Sequence, residues 1–141
     1  MPTGDSARVT LVDTSVAVAL VAADHEHHQA TRAALTDRRL GLAGHAAFEC
    51  FSVLTRLPAP ARRTPATVGR LLAADFPETR FLPAPAAAQL LERLDTLGIA
   101  GGAGYDALVG AAALAHGLVL ATRDRRALST YRTLEVRIEL I

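Results

Sequence analysis

Two short apolar runs near opposite ends of the chain stop on the same kind of residue. Val9-Thr10-Leu11-Val12 runs into Asp13-Thr14-Ser15, and Leu118-Val119-Leu120-Ala121 runs into Thr122-Arg123-Asp124. Short continuous runs of aliphatic and β-branched residues, bounded by polar ones, predict strands buried on both faces. Arg8 to Val12 and Leu118 to Ala121 are such strands. Shorter ones are expected at Gly41 to Ala43, Arg80 to Leu82 and Glu135 to Leu140. Between them the apolar spacing is helical. Val16 to Ala23 is apolar on nearly all sides, with Thr14 or Ser15 as N-cap, and His25 to about Arg39 is amphipathic. Further helices are predicted over His45 to Leu57, from Pro65 behind a Thr64 cap, over Pro85 to Leu97, around Asp106 as far as His116-Gly117, and briefly from Arg125.

Alternating strands and helices predict an α/β fold with a central, mostly parallel sheet of about five strands, flanked by helices on both faces. Pro58 to Pro65 is the only linker-like stretch and is too short to divide the chain, so residues 1–141 read as one domain. Ligands in such folds sit outside the carboxyl ends of the strands, where the strand order switches. Asp13 and Asp124 both fall at strand carboxyl ends, which agrees with a single site.

Two more acids lie inside apolar helical sequence: Glu49 in Phe48-Glu49-Cys50-Phe51, and Asp106 in Tyr105-Asp106-Ala107-Leu108. A lone buried charge is costly. Each acid also has a bland explanation. Asp13 serves equally as a turn or cap residue, Asp124 as the start of a helix, and Asp106 as an anion on a helix dipole. Glu49 has a possible ion-pair partner in Arg56, two turns on. Taken together, gathered carboxylates repel and imply a divalent cation, and an oxygen-only donor set favours Mg²⁺ or Mn²⁺ over zinc. Ser15 is placed to orient Asp13, and Thr122 to support Asp124.

Composition narrows the classes. Half of the residues are apolar, which excludes general disorder. No apolar run reaches the roughly 18 residues of a membrane span, and no secretion signal opens the chain, so a cytoplasmic location is expected. Cys50, the single cysteine, excludes an internal disulfide and reads as a small buried hydrophobe. The net charge of +1 gives no global attraction to nucleic acid. Every basic side chain among the Lys and Arg positions is Arg, whose planar fork suits phosphate.

The ordered set resembles the PIN-domain ribonucleases: Asp13-Thr14-Ser15, Glu49 with Val53-Leu54-Thr55-Arg56, Tyr105-Asp106-Ala107-Leu108-Val109, and Thr122-Arg123-Asp124-Arg125. It is most similar to the VapC toxins of type II toxin–antitoxin pairs, over essentially the whole chain. His27-His28 resembles the start of the second helix in these toxins, where the pair is structural. The resemblance implies a PIN-domain fold and a metal-dependent endoribonuclease, with Asp13, Glu49, Asp106 and Asp124 as the acidic quartet around Mg²⁺ and Mn²⁺ as a substitute. The ion would activate water for in-line attack on an RNA phosphodiester. Arg123, Arg125, Arg126, Arg62 and Arg63 are candidate phosphate contacts. A VapB-like antitoxin is implied as partner, its groove formed by apolar helices near Val16 to Leu35 and by Phe48 to Leu57, together with a toxin homodimer and no membrane association.

Rival classes lack their key residues. Haloacid-dehalogenase-like phosphatases and response-regulator receivers each need a Lys, and the chain has none; a P-loop enzyme needs Gly-Lys-Ser/Thr. A zinc module on His25-Glu26-His27-His28 lacks distant ligands to complete it. A catalytically inactive PIN-like protein-binding module is the remaining alternative.

Overall fold

In the computed structural model, residues 8–141 are described; the N-terminal residues on which the absence of a secretion signal partly rests lie outside that range. Four parallel strands form the sheet: β1 (Val9–Val12), β2 (Arg39–Leu42), β3 (Val119–Thr122) and β4 (Ile138–Leu140). Their order is β2-β1-β3-β4. The chain first steps from β1 outward to β2, then returns to the other side of β1 for β3. The switch point therefore lies between the carboxyl ends of β1 and β3, where Leu11 pairs with Leu120 and Val12 with Ala121.

Period-two alternation sends successive strand residues into two separate cores. Leu11 and Leu120 pack with Leu90, Val109, Ala113 and Tyr131. These come from α5 (Ala84–Arg93), α6 (Ala103–Ala115) and α7 (Leu128–Thr133). Val12 and Ala121 face the opposite layer, with Val16, Cys50, Leu54 and Val68. That layer is built by α1 (Thr14–Val21), α3 (Ala46–Thr55) and α4 (Pro65–Asp75), with α2 (His28–Ala34) packed on α1. Strands buried on both faces are why these runs carry no polar alternation. Burial also lifts the Cys50 thiol to about 12, so it behaves as the small hydrophobe its neighbours suggest.

The fifth strand is not formed. Residues 78–80 do run along the outer edge of β2, with Glu78 N–H donating to Leu40 O and Arg80 N–H to Leu42 O. The Thr79 hydroxyl, however, takes the Leu42 N–H at 3.0 Å, and Pro83 follows closely, so pairing ends at a single bridge between Ala43 and Arg80. Gly41 makes this approach possible, since a Cβ there would stand 2.0 Å from the Glu78 carbonyl oxygen. Other boundaries moved modestly. The second helix begins at His28, not His25, and ends at Ala34. His28 Nδ1 bonds the Ala19 carbonyl at 2.8 Å, a structural tie between α1 and α2. The Arg125 helix begins at Leu128, the final strand shrinks to Ile138–Leu140, and the Thr64 cap with Pro65 in the first turn is found where expected. No helix among the described residues is long and apolar enough to cross a membrane.

Candidate active site

Asp13 leaves β1 with extended backbone and is itself the N-cap of α1, its Oδ1 accepting the Val16 N–H at 3.3 Å. The sequence favoured Thr14 or Ser15 for that role. Because Asp13 takes the cap, both hydroxyls are released for other work. Ser15 Oγ donates to Asp13 Oδ1 at 2.5 Å and accepts the Arg123 N–H at 2.9 Å, while Thr14 Oγ1 donates to Glu49 Oε2 at 3.1 Å. Capping α1 thus leaves Asp13 a candidate site residue, and the two readings of this carboxylate are not alternatives.

Thr122 ends β3 and performs the matching task. Its hydroxyl donates to Asp13 Oδ2 at 2.5 Å and accepts the Asp124 N–H at 3.0 Å. The Tyr131 phenol, on α7, completes the shell with a 2.9 Å bond to Asp13 Oδ2. Asp13 is only 4% exposed, and among the described residues no cationic side chain pairs with it. Burial raises its pKa above the ordinary carboxylate value despite four opposing hydrogen bonds.

Asp13, Glu49, Asp106 and Asp124 line one small cavity of roughly 40 Å³, together with Thr14, Ser15, Val109 and Tyr131. Asp106, in the first turn of α6, is pushed up to about 6, first by burial and then by Asp124, Glu49 and Asp13. Arg126 opposes that shift weakly; its Nε stands 3.6 Å from Asp124 Oδ1 on a nearly fully exposed side chain. The Tyr131 phenol is raised by burial and by Asp13, and stays protonated as a donor. Among the described residues, no three side chains converge closely enough to chelate an ion as they stand. The donor chemistry nevertheless fits a hard divalent cation: oxygen-only ligands and four carboxylates against one exposed arginine, Arg126.

Glu49 is not paired with Arg56. Its partners are Thr14 and His45, whose Nε2 lies 3.4 Å from Oε1 one helical turn back. A larger cleft of about 680 Å³ opens from the acids and shares Glu49 and Asp106 with the inner cavity. Its walls include His45 stacked on Tyr105 at 5.0 Å, Phe48 at 66% exposure, Ser52 and Arg56.

The proposed phosphate-binding arginines separate into groups. Arg126 and exposed Arg125 flank Asp124. Arg123 instead turns toward α2, with Nη1 donating to Thr31 Oγ1 at 3.1 Å. Arg62 and Arg63 line a different groove beside Ala22, Ala23, Asp24 and Pro60. Arg56 is the basic residue in the cleft that the sequence did not suggest for this role. Tyr131 was also missed; a buried tyrosine needs a partner for its hydroxyl, and that was the available signal.

A parallel sheet with acids gathered at the β1/β3 switch defines a class, and residues 10–133 match the PIN-domain family model, so the chain belongs to the PIN-domain family. Among its relatives, Ribonuclease VapC40 of Mycobacterium tuberculosis is 47% identical over 131 residues, 92% of this chain and 96% of that protein. Ribonuclease VapC27 of the same organism is 43% identical over 127 residues, covering 90% and 93%. The fold is also that of VapBC2 from Rickettsia felis, solved bound to a DNA fragment from its promoter. The TM-score there is 0.68 with 13% identity, covering 94% of this chain and 98% of that one.

Proposed function

We propose that the chain is the toxin of a type II toxin–antitoxin pair, a Mg²⁺-dependent endoribonuclease restrained by a VapB-like antitoxin. The observation that carries this reading is that Asp13, Glu49, Asp106 and Asp124 line one cavity with no basic side chain among the described residues of its lining. Similarity to two VapC ribonucleases over nearly the full chain supports RNA as the substrate.

Asp13, Asp106 and Asp124 would hold the ion, with Glu49 completing the set. When bound, a divalent cation supplies a nucleophile near neutral pH and positive charge at the phosphodiester. The chain's own residues do the positioning. Ser15 and Thr122 fix both oxygens of Asp13 and tie them to the Arg123 and Asp124 amides. Thr14 and His45 hold Glu49 toward the cavity. The cleft beyond, with Tyr105 and His45 for stacking and Arg56 for phosphate, suits a single RNA strand. Its exposed Phe48 and neighbouring Phe51 suit an antitoxin segment lying over the same entrance.

Induction of the chain in bacteria without an antitoxin tests the proposal. Growth arrest that Asp13→Asn abolishes is expected; equal arrest by a folded Asp13→Asn protein would overturn the nuclease reading.

A further inference from the structure

Both oxygens of Asp13 are fully occupied by donors of the chain itself. Oδ1 accepts from Ser15 Oγ and Val16 N, and Oδ2 from Thr122 Oγ1 and Tyr131 Oη. A carboxylate offers about four lone-pair positions, so this set leaves none for a cation. Three of the donors are held in place by second duties. The Val16 N–H belongs to the first turn of α1, the Ser15 hydroxyl also receives the Arg123 N–H, and the Thr122 hydroxyl also receives the Asp124 N–H. Tyr131 Oη bonds only Asp13 among the described residues, and it lines the cavity the acids share. Its ring is clamped against Gly110, where an added Cβ would meet Tyr131 Cδ1 at 3.1 Å. Tyr131 is therefore the one side-chain donor to Asp13 whose polar group has no second partner among the described residues to hold it there.

We propose that Tyr131 is a placeholder: its hydroxyl occupies, in the metal-free protein, the Asp13 Oδ2 position that is given up when a divalent cation binds. Tyr131 is thus a positioning residue, and it sets the metal affinity of the site downward. It keeps a buried carboxylate satisfied and correctly oriented until the ion arrives, at the expense of competing with it. This rests on the metal site proposed above, with one donor identified as the one that yields.

Mn²⁺ titration of metal-stripped protein by calorimetry tests it. Tyr131→Phe should bind Mn²⁺ about tenfold more tightly than wild type, the scale of one hydrogen bond to a charged group. Its metal-free melting temperature should be lower than wild type, with the gap closing at saturating Mn²⁺. Ser15→Ala, which also frees the Arg123 amide, should not tighten binding. Unchanged or weaker Mn²⁺ affinity in Tyr131→Phe would overturn the proposal while leaving the metal site intact; absence of Mn²⁺ binding in wild type and variant alike would overturn both. A second readout keeps Tyr131 itself. The chain has two tyrosines and no tryptophan, so in Tyr105→Phe the near-ultraviolet absorption reports Tyr131 alone. Mn²⁺ should shift that band as the phenol loses its carboxylate acceptor, and a silent band would contradict the idea.

Discussion

The Thr122 hydroxyl joins Asp13 to Asp124: it donates to Asp13 Oδ2 at 2.5 Å and accepts the Asp124 N–H at 3.0 Å. One side chain thereby fixes the relative placement of acids delivered by two neighbouring strands. Thr122→Val keeps the shape and removes both bonds. A loss of about 2 kcal/mol is expected, since bonds to charged groups are worth about 1.5–3 kcal/mol; Asp13 Oδ2 keeps the Tyr131 bond, while the Asp124 N–H loses its acceptor. Thr122→Ser should recover most of it. Chemical denaturation of the two variants measures the difference.

Asp106 predicts an unusual pH dependence for the metal-free protein. Its folded value, about 6, lies above its ordinary 3.8. Between those values the folded state binds more protons than the unfolded state, so stability falls as pH rises. The contribution is fully present below about 3.8 and lost as pH passes through about 6. Asp106→Asn removes this dependence. At pH 7 in chelator the variant should be more stable than wild type, by about 1 kcal/mol or less because the group is half-exposed and solvent-screened. The gap should shrink toward pH 4. Thermal melts across that range, with chelator present, check the sign.

Gly110 controls how α6 meets α7. An added Cβ would stand 3.1 Å from Tyr131 Cδ1, 3.2 Å from Val136 Cγ2 and 3.3 Å from Leu134 Cδ1. Alanine gains about 1 kcal/mol of helix propensity, but overpacking a filled core costs about 1–3 kcal/mol. All three neighbours are buried and have little room to withdraw. Gly110→Ala should therefore destabilise by about 1 kcal/mol net. Gly41→Ala, opposed by backbone at 2.0 Å, should be worse, at about 3 kcal/mol or more. Urea midpoints of the two variants rank them.

Arg56 supplies a third kind of test, because it is the arginine lining the cleft beside Glu49 and Asp106. If RNA runs along this cleft, Arg56→Ala weakens binding roughly equally across sequences and lowers the salt slope by about one. Fluorescence anisotropy with single-stranded RNA in chelator, at several salt concentrations, separates this from a nonspecific loss. An unchanged slope would remove Arg56 from the RNA path.

Much of the site was legible in the sequence because its acids violate packing logic at strand ends and in apolar helices. Asp13 and Asp124 follow from strand boundaries, and Glu49 and Asp106 from charge set in apolar surroundings. The partners were less legible. Arg56 looked available to Glu49 by helical spacing, but Thr14 and His45 reach it through tertiary contacts that spacing does not encode. Tyr131 reads as a core aromatic in a short helix, and only the fold shows its hydroxyl arriving at Asp13. The expected strand at Arg80 to Leu82 has the right apolar character, but whether it pairs was decided by one threonine hydroxyl taking a ladder position.

The central claim is that the four carboxylates act together, through a divalent ion, to hydrolyse RNA. Cleavage of a defined RNA by purified protein tests it most directly, comparing wild type with Asp106→Asn in Mg²⁺, in EDTA, and after Mg²⁺ is restored. Wild type should cleave in Mg²⁺, stop in EDTA and recover on restoration, and Asp106→Asn should lose at least a hundredfold in rate, about 2.7 kcal/mol of barrier. Cleavage that persists in EDTA, or an Asp106→Asn rate equal to wild type, would contradict it.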